Sequence, residues 1–252
     1  MTGDSTIDVR DVSVLFPLYH GNSRSLKKLL VAAASGRLAE DRRHRVTVRA
    51  LSNITFNLKS GERLGLIGSN GAGKTTLLRV LAGIYEPVTG SVRVNGTLNA
   101  LLDPSLGMNM ELTGRENILL RGLYGGMSRS RAKQLEEDVI AFAELSDFID
   151  LPVRIYSAGM VVRLGFALAT AIQPRVLLMD EWFLAGDASF LTKARRRLED
   201  MVQSADTFVL STHSNDIIVE WCTRVLWLDK GRIRADGPAR EIVAEYVASS
   251  AE

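Results

Sequence analysis

Residues Gly68-Ser-Asn-Gly-Ala-Gly-Lys74-Thr75 match the spacing G-x-x-x-x-G-K-[ST] at every fixed position, and nothing else in the chain restricts its fold as much. Such a loop works only between a strand and a helix. Its backbone N–H groups turn inward around phosphate oxygens, and the helix that follows presents its partial positive charge to the same anion. The flanking sequence satisfies that demand: Arg63-Leu-Gly-Leu-Ile67 is a short apolar strand, and a helical pattern runs from Lys74 to Ala82. A glycine-rich turn with an exposed lysine is the plainer alternative, and the strand-loop-helix context argues against it. In this chemistry Gly68, Asn70, Gly71 and Gly73 cradle the phosphates of ATP, with Thr76 adding an amide or hydroxyl. Lys74 reaches the β- and γ-phosphates, and the Thr75 hydroxyl ligates Mg²⁺.

A second segment supplies acid. Val176-Leu-Leu-Met-Asp180-Glu181 is an apolar strand that ends in two carboxylates, the edge at which α/β proteins bind ligands. Alone, the pair reads as the start of a solvated loop; with the phosphate loop upstream it reads as chemistry. Asp180 is expected to hold Mg²⁺ through its water shell, and Glu181 to act as the base or orienter of the attacking water. His213, in Ser211-Thr-His-Ser, follows another apolar strand and is a candidate contact to the γ-phosphate or that water. His20 and His44 have no such context.

The rest of the chain bounds the architecture. With 252 residues and 46% hydrophobic content it can bury a large core, and a formal charge of +2 gives no case for nucleic acid. Charge is concentrated between Arg24 and Arg49, where eight lysines and arginines face Glu40 and Asp41, a local net of +6. This is a solvated face or a contact for anionic lipid or an acidic partner. Cys222 is the sole cysteine, read as a small buried residue in a reducing compartment. No leader pattern and no run of about 18 apolar residues is present, so a soluble or peripheral intracellular protein is expected. Alternation predicts antiparallel strands near Ile7–Phe16 and Ile54–Leu58, with an amphipathic helix inserted at about 24–36 through Leu26, Leu29, Leu30 and Ala33. Asn95-Gly96 predicts a two-residue hairpin joining Ser91–Val94 to Thr97–Leu102. Thr113-Gly-Arg-Glu116 has capping-box spacing, and helices are expected at 131–145 and 160–172. Apolar strands at 176–179 and 208–211, joined through a helix at 195–201, precede a hairpin across Asp229-Lys-Gly and a last helix with Pro238 in its first turn. The expected fold is α/β: a P-loop NTPase core (1–104 and 174–252) with an antiparallel β-subdomain, and a helical subdomain at 105–173.

With these segments in order, the chain resembles the nucleotide-binding subunits of ABC transporters over nearly its whole length. Tyr156-Ser157-Ala158-Gly159-Met160 occupies the place of the family signature, commonly Leu-Ser-Gly-Gly-Gln, and keeps its Ser and second Gly. The resemblance implies that Ser157, Ala158 and Gly159 meet ATP held by the opposite subunit of a head-to-tail homodimer. Leu184-Ala-Gly-Asp187 resembles the D-loop, which implies that Asp187 aligns the dimer. Within the family, Leu112-Thr-Gly-Arg-Glu-Asn-Ile118, the Tyr156 segment, Asp180-Glu-Trp-Phe-Leu-Ala-Gly-Asp187 and the Leu26-Lys-Lys-Leu-Leu30 insertion resemble ATPases that export O-antigen, capsule or teichoic acid. That likeness implies an integral membrane partner, a place on the cytoplasmic face of the cytoplasmic membrane, and a gate-helix role for the insertion. A surface helix without a role is the plainer reading of the insertion.

The chain also departs from the family pattern. The loop into the helical subdomain lacks the usual Gln, leaving Asp103 as the nearest polar candidate for a contact to Mg²⁺. Phe16 and Tyr19 both lie where an aromatic would stack on adenine, and Phe16 is favoured. The sequence ends soon after the Pro238 helix, so no carbohydrate-binding module is expected and selectivity is assigned to the membrane partner or the gate region. Three rivals share some of the motifs: a transporter ATPase for a lipid or drug, a soluble ABC-type ATPase without a membrane partner, and a P-loop kinase.

Overall fold

A computed structural model describes residues 6–17, 38–40, 46–102, 108–180 and 188–250. The expected helix at 24–36 lies outside them. In chain order the strands are β1 (Thr6–Pro17), β2 (Leu38–Glu40), β3 (Val46–Leu58), β4 (Arg63–Ile67), β5 (Thr89–Asn95), β6 (Leu98–Leu101), β7 (Val176–Asp180), β8 (Thr207–Ser211), β9 (Arg224–Asp229) and β10 (Arg232–Pro238). The helices are α1 (Lys74–Leu81), α2 (Gly114–Tyr124), α3 (Arg129–Ala143), α4 (Ala158–Thr170), α5 (Ala188–Ser204), α6 (Asn215–Trp221) and α7 (Ala239–Ser250). The chain divides into two compact units, one of residues 1–98, 178–180 and 206–252, the other of 99–177 and 181–205.

The first unit holds two sheets of opposite character. One is antiparallel, in the order β2-β3-β1-β5. In β1 the inward residues Ile7, Val9, Val12 and Val14 are buried while their neighbours are not, as expected of a sheet with one wet face. The other runs β10-β9-β4-β8-β7, with Leu178–Asp180 as the contribution of β7 to this unit. Here β4 is parallel to both β8 and β9, and Leu64, Leu66, Val209, Leu210, Val225 and Leu226 are all buried. Continuous apolar strands are what a sheet covered on both faces requires. Leu66 pairs with Ser211 and Ile67 with Trp227, so the strand ends that follow lie on one edge. The β9–β10 turn has Lys230 at φ 46° and Gly231 at φ 79°, the paired left-handed residues of a tight hairpin.

The Asn95-Gly96 hairpin does not form. β5 pairs with β1 in the antiparallel sheet, whereas β6 is a neighbour of β7. Only Gly96 has a positive φ, at 112°, and a two-residue type I′ turn needs both residues there. Pro238 closes β10, one residue before α7, rather than opening the helix.

The second unit is largely helical, and it includes α5 as well as residues 108–173. Its core is built around stacked Phe142 and Phe166, with Phe190 edge-on to both. Lys193 donates to the carbonyls of Phe142 at 3.0 Å and Ala141 at 3.4 Å, so a cation closes the C-terminus of α3, where the helix dipole favours it.

Candidate functional site

The loop between β4 and α1 owes its shape to two glycines. Gly68 has φ 141°, and a Cβ built on it would stand 2.1 Å from the Leu228 carbonyl oxygen. Gly73, at φ 115°, is the N-cap of α1, and a Cβ there would meet Leu51 Cδ2 at 2.9 Å and the Ala50 oxygen at 3.1 Å. Only glycine fits both the backbone angle and the space. The loop is tied down by Ala72 N–H donating to Ser69 O at 3.0 Å and by Gly231 N–H donating to Ala72 O at 2.8 Å. The turn of the last hairpin thus braces the phosphate loop. Lys74 is 7% exposed, and its Nζ donates to the carbonyls of Gly68 at 2.6 Å and Ser69 at 3.3 Å. The loop holds its own cation across its mouth. Asn70 and Gly71 are exposed beside it, and Thr76 is half-buried one turn into α1.

Thr75 and Asp180, 105 residues apart, meet: Thr75 Oγ1 donates to Asp180 Oδ2 at 2.8 Å. This joins the first turn of α1 to the end of β7. A hydroxyl and a carboxylate converging beside a phosphate loop are the hard oxygen donors that Mg²⁺ takes, usually one or two carboxylates with substrate phosphates rather than a complete protein cage. His213 is exposed two residues beyond β8, on the edge where β4 delivers Gly68. Phe16 is half-buried at the end of β1 and meets Tyr85 edge-on, with ring centroids 5.2 Å apart. Arg79 donates to the Tyr85 hydroxyl at 2.9 Å. Tyr85 was no candidate from sequence, because nothing in its local pattern places it against β1.

In the second unit, Ser157 is the N-cap of α4, and its Oγ accepts from Met160 N–H at 3.3 Å. Ala158 and Gly159 follow it, and all three are exposed. The expected capping box at α2 is present: Glu116 N–H donates to Thr113 Oγ1 at 3.1 Å and Thr113 N–H to Glu116 Oε2 at 2.8 Å. The Thr113 amide, with its hydroxyl, holds the Glu116 carboxyl below its ordinary pKa. Asp103, Glu181 and Asp187 lie outside the described residues.

A family model described as ABC transporter matches residues 51–184. An O-antigen export system ATP-binding protein of Yersinia enterocolitica is 43% identical over 225 residues, covering 89% of this chain and 94% of the relative. A second, from Klebsiella pneumoniae, is 34% identical and covers 96% and 98%. A teichoic acids export ATP-binding protein of Lactococcus lactis is 39% identical over 78% of this chain, which spans 42% of that relative's length. Among solved structures, the ATP-binding subunit of an ABC transporter superposes with a TM-score of 0.69 at 22% identity, covering 96% of this chain and 93% of the other. A dimeric ATP-binding cassette bound to ADP and Pi gives 0.68 at 19% identity, covering 93% and 99%. At those identities the structures speak for the fold alone. The family match and the close relatives go further: the chain belongs to the ABC transporter family, as an ATP-hydrolysing subunit.

Proposed function

We propose that this subunit powers the export of a lipid-linked cell-envelope polysaccharide, working as a head-to-tail homodimer docked on an integral membrane partner at the cytoplasmic face of the membrane. The Thr75–Asp180 hydrogen bond is the observation that carries the ATPase half of this reading, because it brings together the two groups that the phosphate-loop chemistry needs. The cargo class rests on the likeness to the O-antigen and teichoic acid export proteins. No helix among the described residues is long and apolar enough to cross a membrane.

In this mechanism the N–H groups of residues 68–76 wrap the phosphate chain, and Lys74 is delivered to the β- and γ-phosphates by the loop that already holds it. Thr75 and Asp180 would hold Mg²⁺, whose chemistry is to neutralise charge on the phosphate oxygens. Asp103 is a further candidate for that ion. Glu181 orients and deprotonates the attacking water, and His213 contacts the γ-phosphate from the next strand end. Phe16 offers an aromatic face to adenine. Ser157, Ala158 and Gly159 of the second copy close the site, and Asp187 aligns the two copies. ATP binding draws the pair together and hydrolysis releases it, so each cycle is one closing and opening motion.

Glu181→Gln tests the core of this. It is expected to keep ATP affinity, abolish turnover and trap an ATP-bound dimer on a sizing column; wild-type turnover would remove Glu181 from its role. Expressed in the native organism, the same variant is expected to accumulate a lipid-linked glycan inside the cell. Accumulation of an unglycosylated lipid or a small molecule instead would overturn the cargo assignment.

A further inference from the structure

The N-terminus of α2 presents amides that the helix itself cannot satisfy. Three have traceable partners. Glu116 N–H goes to Thr113 Oγ1 at 3.1 Å, Thr113 N–H to Glu116 Oε2 at 2.8 Å, and Arg115 N–H to Ile149 O at 3.0 Å. Against Gly114 lies the hydroxyl of Tyr156, which donates to the Phe148 carbonyl at 2.7 Å. Tyr156 is 8% exposed and directly precedes Ser157, the N-cap of α4. Backbone bonds run alongside, with Val153 N–H to Leu112 O and Arg154 N–H to Met110 O, both at 2.9 Å. Arg115 adds a fork onto Asp150 and an ion pair with Glu136. The space around the phenol is closed: a Cβ on Gly114 would stand 2.7 Å from the Tyr156 oxygen and 2.7 Å from Ile149 Cδ1.

We propose that Tyr156 is the positioning residue of the signature segment: its hydroxyl, packed against Gly114 and donating to the Phe148 carbonyl, sets where Ser157 and the first amides of α4 meet the ATP of the opposite subunit. A leucine at this place fills the volume but cannot make that bond. The proposal rests on the reading of Ser157 as half of a composite site. It assigns to Tyr156 no contact with nucleotide, so its effect falls on the closed dimer and not on ATP binding by one subunit.

The test is steady-state ATPase kinetics of the full-length protein, normalised to titrated nucleotide sites, for Tyr156→Phe, Gly114→Ala and the double variant. Tyr156→Phe is expected to lower kcat about fivefold, the net worth of roughly one hydrogen bond, with KM for ATP within about twofold of wild type. Gly114→Ala, which drives a methyl into the phenol oxygen, is expected to lower kcat at least as far. In the Tyr156→Phe background the same methyl meets less, so the two losses are expected to be less than additive. Unchanged kcat in Tyr156→Phe, while Ser157→Arg abolishes hydrolysis, overturns the role of Tyr156 and leaves the composite site standing. A rise in KM that matches the fall in kcat, or strict additivity, also overturns it. Undiminished hydrolysis in Ser157→Arg removes the composite site and the proposal with it.

Discussion

At Gly68 a single hydrogen separates a working loop from a collision, since any Cβ would stand 2.1 Å from the Leu228 carbonyl. Gly68→Ala is therefore expected to cost at least about 2 kcal/mol, from the left-handed backbone alone, before any steric contribution. Thermal unfolding and ATP titration should fall together, because the same backbone serves both; a stable variant with normal affinity would show that the loop can be drawn differently. Cys222 behaves oppositely, as a residue whose environment silences it. Burial pushes its thiol up to about 12 from an ordinary 9.0, with Arg63 opposing. Its thiolate is disfavoured in the folded state, so this contribution to stability is complete below about pH 9 and is lost as pH rises towards 12. The difference in unfolding free energy between wild type and Cys222→Ala is expected to change across that window, and a thiol reagent at pH 8 is expected to label Cys222 only as fast as the protein unfolds. Rapid labelling of the folded protein would contradict its burial. Residue types at fixed spacing made Lys74, Thr75 and Asp180 legible from sequence, whereas the Tyr85 edge on Phe16 was not, because a contact between β1 and the segment after α1 leaves no local pattern.

Elements were legible where a local signal carries its own stereochemistry. The capping box at Thr113–Glu116 forms as its spacing demands, and the Asp229-Lys-Gly turn does so because Lys230 and Gly231 both take the left-handed conformation. Asn95-Gly96 offered a comparable local signal and failed. The long-range partners prevailed there: β5 lies along β1 from Thr6 opposite Asn95 to Ser13 opposite Thr89. A hairpin preference of roughly a kilocalorie cannot outweigh a full strand pairing. β3 likewise begins at Val46, well before the alternation from Ile54 onward, since Arg49 and Ala50 interrupt the pattern while the backbone continues to pair with β1. For the helices the prediction is quantitative. Thr113→Ala removes the side-chain cap and the hydroxyl's bond to Glu116 while leaving the bond from the Thr113 amide, and it is expected to cost about 1 kcal/mol, about 2–4 °C in Tm. A change smaller than the error of a thermal melt would mean that the bonds from the Arg115 amide to Ile149 and from the Thr113 amide to Glu116 hold the helix start without the cap.

For the whole molecule the question is which copy supplies Ser157, and it can be answered with two inactive proteins. Lys74→Ala removes the near half of the site from one subunit, and Ser157→Arg removes the far half from the other. Each homodimer then carries two defective sites and is expected to be inactive. In a mixed dimer of a composite-site protein, both defects fall in the same site, and the other site joins a normal phosphate loop to a normal signature. Random exchange makes half of the dimers mixed and leaves one intact site in each, so an equimolar mixture is expected to recover about a quarter of wild-type turnover where the sites act independently. If Ser157 instead served the phosphate loop of its own chain, every site in the mixture would carry one defect and no activity would return. Recovery therefore assigns the site to the dimer. Its absence, in a mixture shown to exchange subunits and with Lys74→Ala/wild-type mixed dimers measured as active at their one intact site, returns the site to a single chain.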